Sequence, residues 1–238
     1  MRLDKLLAHV GMGTRKEVKK LIANGEITVN GDVVKNAGMN VHPDKDNIQH
    51  LSYPIHYQEF YYVMLNKPAG IISATEDNMH ETVIDWVSID YGHIDLFPVG
   101  RLDIDTTGLL LLTNDGKLAH RLLSPKHHVD KTYQAKISGI AKQADVQAFE
   151  KGLDLGDFIS LPASLKTISV DEKRQESDVH VTIQEGKFHQ VKRMFQAVNK
   201  QVLALHRIQM GPLLLDTALQ LGDYRELTEE ERDALLKI

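Results

Sequence analysis

Two carboxylates and a guanidinium lie within five residues at Arg101-Leu102-Asp103-Ile104-Asp105, between Gly100 and Gly108, and four leucines, Leu109–Leu112, follow directly. A carboxylate on a short turn, backed by a buried strand, can be held rigidly at the lip of a cleft, poised for nucleophilic or acid–base chemistry. Asp, Thr and Gly also build ordinary turns, because short polar side chains bond to nearby backbone. Three further islands carry polar residues that folding alone does not demand: Asn66-Lys67-Pro68-Ala69-Gly70, Lys131-Thr132-Tyr133 and Glu185–Phe195. The last places Lys187, His189, Gln190, Lys192 and Arg193 at a strand-to-helix junction. A helix N-terminus flanked by cations attracts phosphate, and basic runs of this kind mark nucleic-acid patches.

The elements that must hold these islands are legible in outline. Leu3, Leu6, Leu7 and Val10 repeat at helical spacing over 3–10. Thr14 with Glu17 is a capping box that opens a helix over 14–24, and Gly25 ends it. Val18, Leu21 and Ile22 form its buried stripe, with Arg15, Lys16, Lys19 and Lys20 largely opposite. Asn30-Gly31 predicts a hairpin over 27–34. Residues 42–58 are polar and turn-rich, read as a last small-domain strand and a linker over 51–58. From residue 59 a larger domain runs to 238. Tyr61–Asn66, Leu109–Thr113, Thr132–Ile137, Asp178–Ile183 and Val202–Ile208 read as strands. Glu81–Val87, Lys117–Leu123, Val191–Val198 and the stretch from Thr228 read as helices, with Val191, Met194, Phe195 and Val198 as core. Many strands without a regular βαβ period predict an α+β fold on a mixed, mainly antiparallel sheet flanked by helices.

Composition narrows the function classes. The 238 residues are 42% hydrophobic and 26% charged, as in a soluble globular protein. No apolar run approaches the roughly 20 residues of a membrane span, and the opening residues lack a signal-peptide core, so a cytoplasmic protein is expected. The absence of cysteine excludes disulfides, thiol catalysis and cysteine-based zinc sites. His127 and His128 are adjacent and point apart in an extended segment, and no His-x-x-x-His pair with an acidic neighbour occurs, so no metal site is expected. The net charge of −5 hides an asymmetry: residues 1–35 carry seven Lys/Arg against four Asp/Glu, and residues 216–238 three against seven. A localised basic face is implied.

The first 45–50 residues resemble the S4 RNA-binding domain through Arg2-Leu3-Asp4-Lys5, Thr14-Arg15-Lys16-Glu17, Leu21–Gly25 and Val29-Asn30-Gly31. Behind it, the four islands in this order resemble the RsuA family of pseudouridine synthases. The matching segments are Leu65-Asn66-Lys67-Pro68-x-Gly70, Gly100–Leu109, Lys131-Thr132-Tyr133 and Glu185–Met194. The His189–Phe195 wording is closest to the branch that modifies small-subunit (16S) ribosomal RNA.

The resemblance implies an enzyme that breaks the N1–C1′ bond of a uridine, rotates the base and rejoins it through C5. No redox change occurs and no group is gained, so no cofactor or metal is implied. It assigns Asp103 as the essential carboxylate, which attacks covalently or stabilises the sugar and acts only while ionised, a form that a neighbouring cation favours. It assigns Lys192 as the basic active-site residue, with Arg101 as a second candidate, and Tyr133 as the ring and hydroxyl that meet the uracil. The base must be flipped out of folded RNA, which stacking and phosphate contacts repay. Arg101, Lys187, His189, Gln190, Arg193 and Lys67 are the expected RNA contacts of the catalytic domain, and Arg2, Arg15, Lys16 and Lys19 those of the S4 domain. Asp105 is expected to cap or hold the loop. The expected partner is 16S ribosomal RNA or a small-subunit assembly intermediate, bound by a monomer. Two alternatives are a synthase acting on 23S ribosomal RNA and a non-catalytic S4-type assembly factor. A glycoside hydrolase using Asp103 and Asp105 is disfavoured. Its carboxylates must stand about 5–9.5 Å apart across one cleft, and Trp86 is the only tryptophan for a sugar platform.

Overall fold

The computed structural model describes residues 1–238. Leu3, Leu6 and Leu7 line one side of helix α1 (Leu3–His9) and are buried. Helix α2 (Arg15–Ala23) opens with the expected reciprocal cap. The Thr14 hydroxyl accepts from the Glu17 amide at 3.3 Å, and the Glu17 carboxylate accepts from the Thr14 amide at 2.7 Å. Val18 and Ile22 face inward, while Lys16, Lys19 and Lys20 are exposed. Asn30 (φ 55°) and Gly31 (φ 93°) supply the left-handed pair that joins β1 (Ile27–Val29) to β2 (Asp32–Val33). Strands β3 (Ile48–His50) and β4 (Tyr53–Pro54) complete a four-stranded sheet of order β2-β1-β3-β4.

The expected linker at 51–58 needs correction. β4 is a strand of that sheet, the Ile55 amide bonds to the Ile48 carbonyl at 2.9 Å, and Ile55 and Tyr57 pack on the small core. Residues 1–61 form one unit together with 87–96, and residues 62–86 with 97–238 form the other. The segment 87–96 was expected inside the larger domain. It is short and mixed in character, so nothing local marks which core it joins.

The larger unit begins with β5 (Tyr62–Lys67). The helix expected over 81–87 is shorter, α3 (Val83–Trp86), with Thr82 and Asp85 exchanging hydrogen bonds at its start. Helix α4 (Ser88–Tyr91) follows in the segment that joins the first unit. Then come β6 (Phe97–Pro98), β7 (Thr107–Thr113), α5 (Gly116–Leu123), β8 (Lys131–Ser138), α6 (Gln143–Lys151), β9 (Ser164–Asp171), β10 (Glu176–Ile183), α7 (Gln190–Ala197), β11 (Val202–Met210), β12 (Leu213–Leu214), β13 (Tyr224–Glu226) and α8 (Glu229–Leu236). The fold is α+β, with one nine-stranded sheet running β13-β5-β7-β11-β8-β10-β9, β6 beside β7 and β12 beside β11. All its pairings are antiparallel except β7 with β11.

β7 sits between β5 and β11, and its four leucines are all fully buried. Leu109 and Leu111 join Met64, Val99, Leu118, Leu122 and Leu235 on one face, and Leu110 and Leu112 take the other. A strand covered on both faces reads as an unbroken apolar run, which is why it was visible in the sequence. β9 was not: only Leu165 is buried along this edge strand, so no alternation marks it.

Candidate active site

The Gly100–Gly108 turn is pinned from behind by the first island. Lys67 ends β5, is fully buried, and donates its ammonium to the carbonyls of Pro68 (3.0 Å), Asp103 (3.2 Å) and Thr106 (3.0 Å). The Ser73 hydroxyl bonds both the carbonyl and the amide of Leu102 at 3.0 Å, and the Gly70 amide bonds the Ile104 carbonyl at 2.8 Å. The backbone of residues 102–106 is therefore held at five points. Burial pushes the Lys67 ammonium down to about 8, against the opposing pull of Asp105 and Asp103. Lys67 was expected among the RNA contacts. That expectation is corrected, because a side chain wholly enclosed by backbone carbonyls has no surface for phosphate.

Gly108 closes the turn for a steric reason. β7 and β11 run parallel with Gly108 beside Arg207, and a Cβ at Gly108 would stand 2.3 Å from the Arg207 carbonyl oxygen. Its φ of 102° adds a second demand for glycine.

The fourth island folds over this turn. Gln190 is buried, donates to Glu185 at 2.7 Å and accepts from the Lys187 amide at 3.0 Å, so it shapes the loop where that loop lines the cleft. Arg193 donates to the Leu155 carbonyl at 2.7 Å, pairs with Asp157 and lies over the Phe158 ring at 5.1 Å. It is corrected from RNA contact to loop anchor. The signal missed in both cases was the partner: Glu185, Leu155 and Asp157 become neighbours only on folding.

One open cleft brings together Arg101, Asp103, Thr106, Tyr133, Lys187, His189, Gln190 and Lys192. The Lys192 ammonium stands 3.1 Å from Asp103 Oδ2 and 2.6 Å from Asp105 Oδ1, bridging both carboxylates. Burial lowers the Lys192 pKa, but its bonds to Asp105 and Asp103 outweigh this and raise it above the ordinary lysine value. The bond from Lys192 in turn holds the Asp105 carboxyl below the ordinary aspartate value, against its partial burial. Asp105 is thus a partner of the lysine as well as a loop residue. His189 Nε2 lies 3.6 Å from Asp103 Oδ1. Tyr133, on β8, is buried at the cleft, and the Arg207 guanidinium sits 6.0 Å from its ring centroid. Arg207 is itself buried and donates its Nε to the Leu109 carbonyl at 2.7 Å. No sequence signal marked it, because it faces Tyr133 through the β8–β11 register.

In the small unit, Arg2 and Arg15 converge on the buried Asp4 carboxylate at 3.0–3.1 Å, with about half of each arginine exposed. Burial alone would raise Asp4, but the bonds from Arg2 and Arg15 prevail and lower its pKa. Both guanidiniums are therefore fixed at the surface, beside the exposed Lys16 and Lys19 of α2. No group of three or more His, Asp or Glu side chains converges in the way a metal ion requires, and no helix is long and apolar enough to cross a membrane.

Comparison with known proteins gives two family matches. Residues 61–197 match the RNA pseudouridylate synthase model and residues 1–47 the S4 domain. An uncharacterized RNA pseudouridine synthase of Bacillus subtilis is 46% identical over 97% of this chain and 96% of its own. The ribosomal large subunit pseudouridine synthase B of the same organism is 40% identical over 97% of this chain and 93% of its own. The ribosomal small subunit pseudouridine synthase A of Vibrio cholerae is also 40% identical, over 100% of both chains. A solved structure described as a pseudouridylate synthase covers 99% of both chains at 36% identity, with a TM-score of 0.66.

Proposed function

Because the chain belongs to the RNA pseudouridylate synthase family and carries an S4 domain, we propose that it isomerises a uridine of 16S ribosomal RNA, with Asp103 as the essential carboxylate. The observation that carries the reading is the ion bridge in the cleft, where one ammonium holds Asp103 and Asp105 together beside Tyr133.

The steps follow from the groups present. Asp103 attacks or shields C1′ as the N1–C1′ bond breaks, the uracil turns, and C5 bonds to C1′ as any bond from Asp103 to C1′ breaks and the carboxylate is restored. The C5 hydrogen leaves as a proton, which the Tyr133 oxygen takes as the tyrosine's own proton passes to solvent, and N1 takes a proton from solvent, so composition is unchanged. Lys192 steadies the carboxylate before the reaction, so no solvent need reorganise around it. Lys67 and Ser73 hold the backbone that carries Asp103. Arg101, Lys187 and His189 face the RNA from the cleft, and Arg2, Arg15, Lys16 and Lys19 from the S4 unit. The reaction takes place in the cytoplasm, on RNA or an assembling small subunit.

The small-subunit target rests on the His189–Phe195 wording. The large-subunit relative at equal identity keeps 23S ribosomal RNA as the second reading. Replacing Asp103 with Asn is expected to abolish tritium release from 5-tritiated uridine in RNA while RNA binding persists; retained turnover sinks the assignment. Pseudouridine mapping of both ribosomal RNAs in a deletion strain is expected to show one site missing from 16S, and a site missing from 23S instead reverses the target.

A further inference from the structure

Phe188 is out of place by the rules that govern apolar side chains. It is 70% exposed, between Lys187 and His189 in the loop that precedes α7. Its ring lies on the His189 imidazole with centroids 3.8 Å apart and planes within 19° of parallel. His189 reaches into the cleft, 3.6 Å from Asp103, whereas Phe188 does not line the cleft. The pair therefore runs from the catalytic carboxylate outward to the rim. His189 also adopts a left-handed backbone (φ 50°, ψ 28°), a conformation that costs a residue with a side chain about 1 kcal/mol or more. That turn sets both rings side by side at the surface.

We propose that Phe188, backed by His189, is the platform on which a nucleobase flanking the reacting uridine stacks. The inference rests on the reading that a uridine in RNA reacts at Asp103. A flipped uridine leaves its neighbours without a stacking partner. An aromatic face at the rim replaces that partner, and it does so for any base, because every base has a π-face. The ring is outside the pocket that holds Tyr133 and Asp103, so its occupant is a flanking base and not the reacting one. Lys187 and Arg101 stand on the same cleft to meet the phosphates on either side.

The test compares Phe188→Ala, Phe188→Leu and Phe188→Trp in the full chain, with unmodified 16S and 23S ribosomal RNA transcripts as probes. KM for pseudouridine formation and Kd over a series of salt concentrations are measured. Losing one base–aromatic stack is expected to raise KM and Kd about 5- to 100-fold in the Ala variant. The Trp variant is expected to return within about twofold of the parent, and the Leu variant to stay close to Ala. The slope of log Kd against log salt is expected to hold, since no phosphate contact is lost. Unchanged KM in the Ala variant, full rescue by Leu, or a changed salt slope overturns the platform while wild-type turnover leaves the enzymatic reading intact. Absence of wild-type turnover on both RNAs overturns the reading beneath it, and the platform with it.

Discussion

Asp103, Asp105 and Lys192 act as one electrostatic unit, so their substitutions are not independent. Lys192→Met is expected to lower kcat by about 10²- to 10³-fold, the usual effect of removing one preorganised partner of a reacting charge. Lys192→Arg is expected to recover part of it, and tritium release measures both. Asp105→Asn leaves Lys192 on Asp103, so a loss under about tenfold is expected. The pH dependence of the pair follows from its two shifts. Asp105 is depressed, so its contribution is present above the ordinary aspartate value of 3.8 and is lost as pH falls through its lowered value. Lys192 is raised, so its contribution is complete below 10.5 and is lost as pH rises through its higher value. The bridge is expected to persist across the whole neutral range. Asp103 itself was legible from its turn and its motif. The bridging role of Asp105 was not, because Lys192 lies 87 residues away in the chain.

At the scale of elements, the Gly100–Gly108 turn is rigid because the end of β5 and the segment after it bond to its backbone, while β7 anchors its far end in the sheet. Lys67 is the central clamp. Lys67→Met removes the ammonium from the carbonyls of Pro68, Asp103 and Thr106, of which Asp103 keeps the Thr106 amide as donor, and is expected to cost about 2 kcal/mol and lower Tm by roughly 4–8 °C. The sign of its pH dependence is opposite to that of Lys192. Lys67 titrates at about 8 in the fold against 10.5 unfolded, so between these values the unfolded chain binds more protons and the clamp stabilises more as pH rises. The Tm gap between parent and variant is expected to widen from pH 8 to 10.5; a gap that narrows contradicts the buried ammonium. Helices α5, α7 and α8 and the central strands of this unit were readable from period and caps. Helix α6 and the edge strand β9 were not, and α3 was read too long, since few of their residues are buried and tertiary contacts set their limits.

At the scale of the whole molecule, positive charge is concentrated in residues 1–35 and negative charge in residues 216–238, and the proposed function uses the exposed lysines of α2 to hold RNA and the cleft of the larger unit to change it. Lys16→Ala with Lys19→Ala is expected to weaken RNA binding and reduce the slope of log Kd against log salt by about 1.4–1.8, the value for two lost phosphate contacts. An unchanged slope in a salt titration removes α2 from the interface. Residue types and spacing alone determined the S4 hairpin, the buried β7, the α+β class and the identity of the four islands, because each is written in local periodicity, turn chemistry or motif order along the chain. Only the tertiary structure decided which members of those islands face the cleft. It enclosed Lys67 in carbonyls, bonded Gln190 and Arg193 to the loops, brought Arg207 over Tyr133 and set Lys192 between two carboxylates. Those outcomes depend on strand register and on partners distant in sequence, and a basic or polar residue looks the same in a sequence whether its partner is a backbone carbonyl, a neighbouring acid or a phosphate.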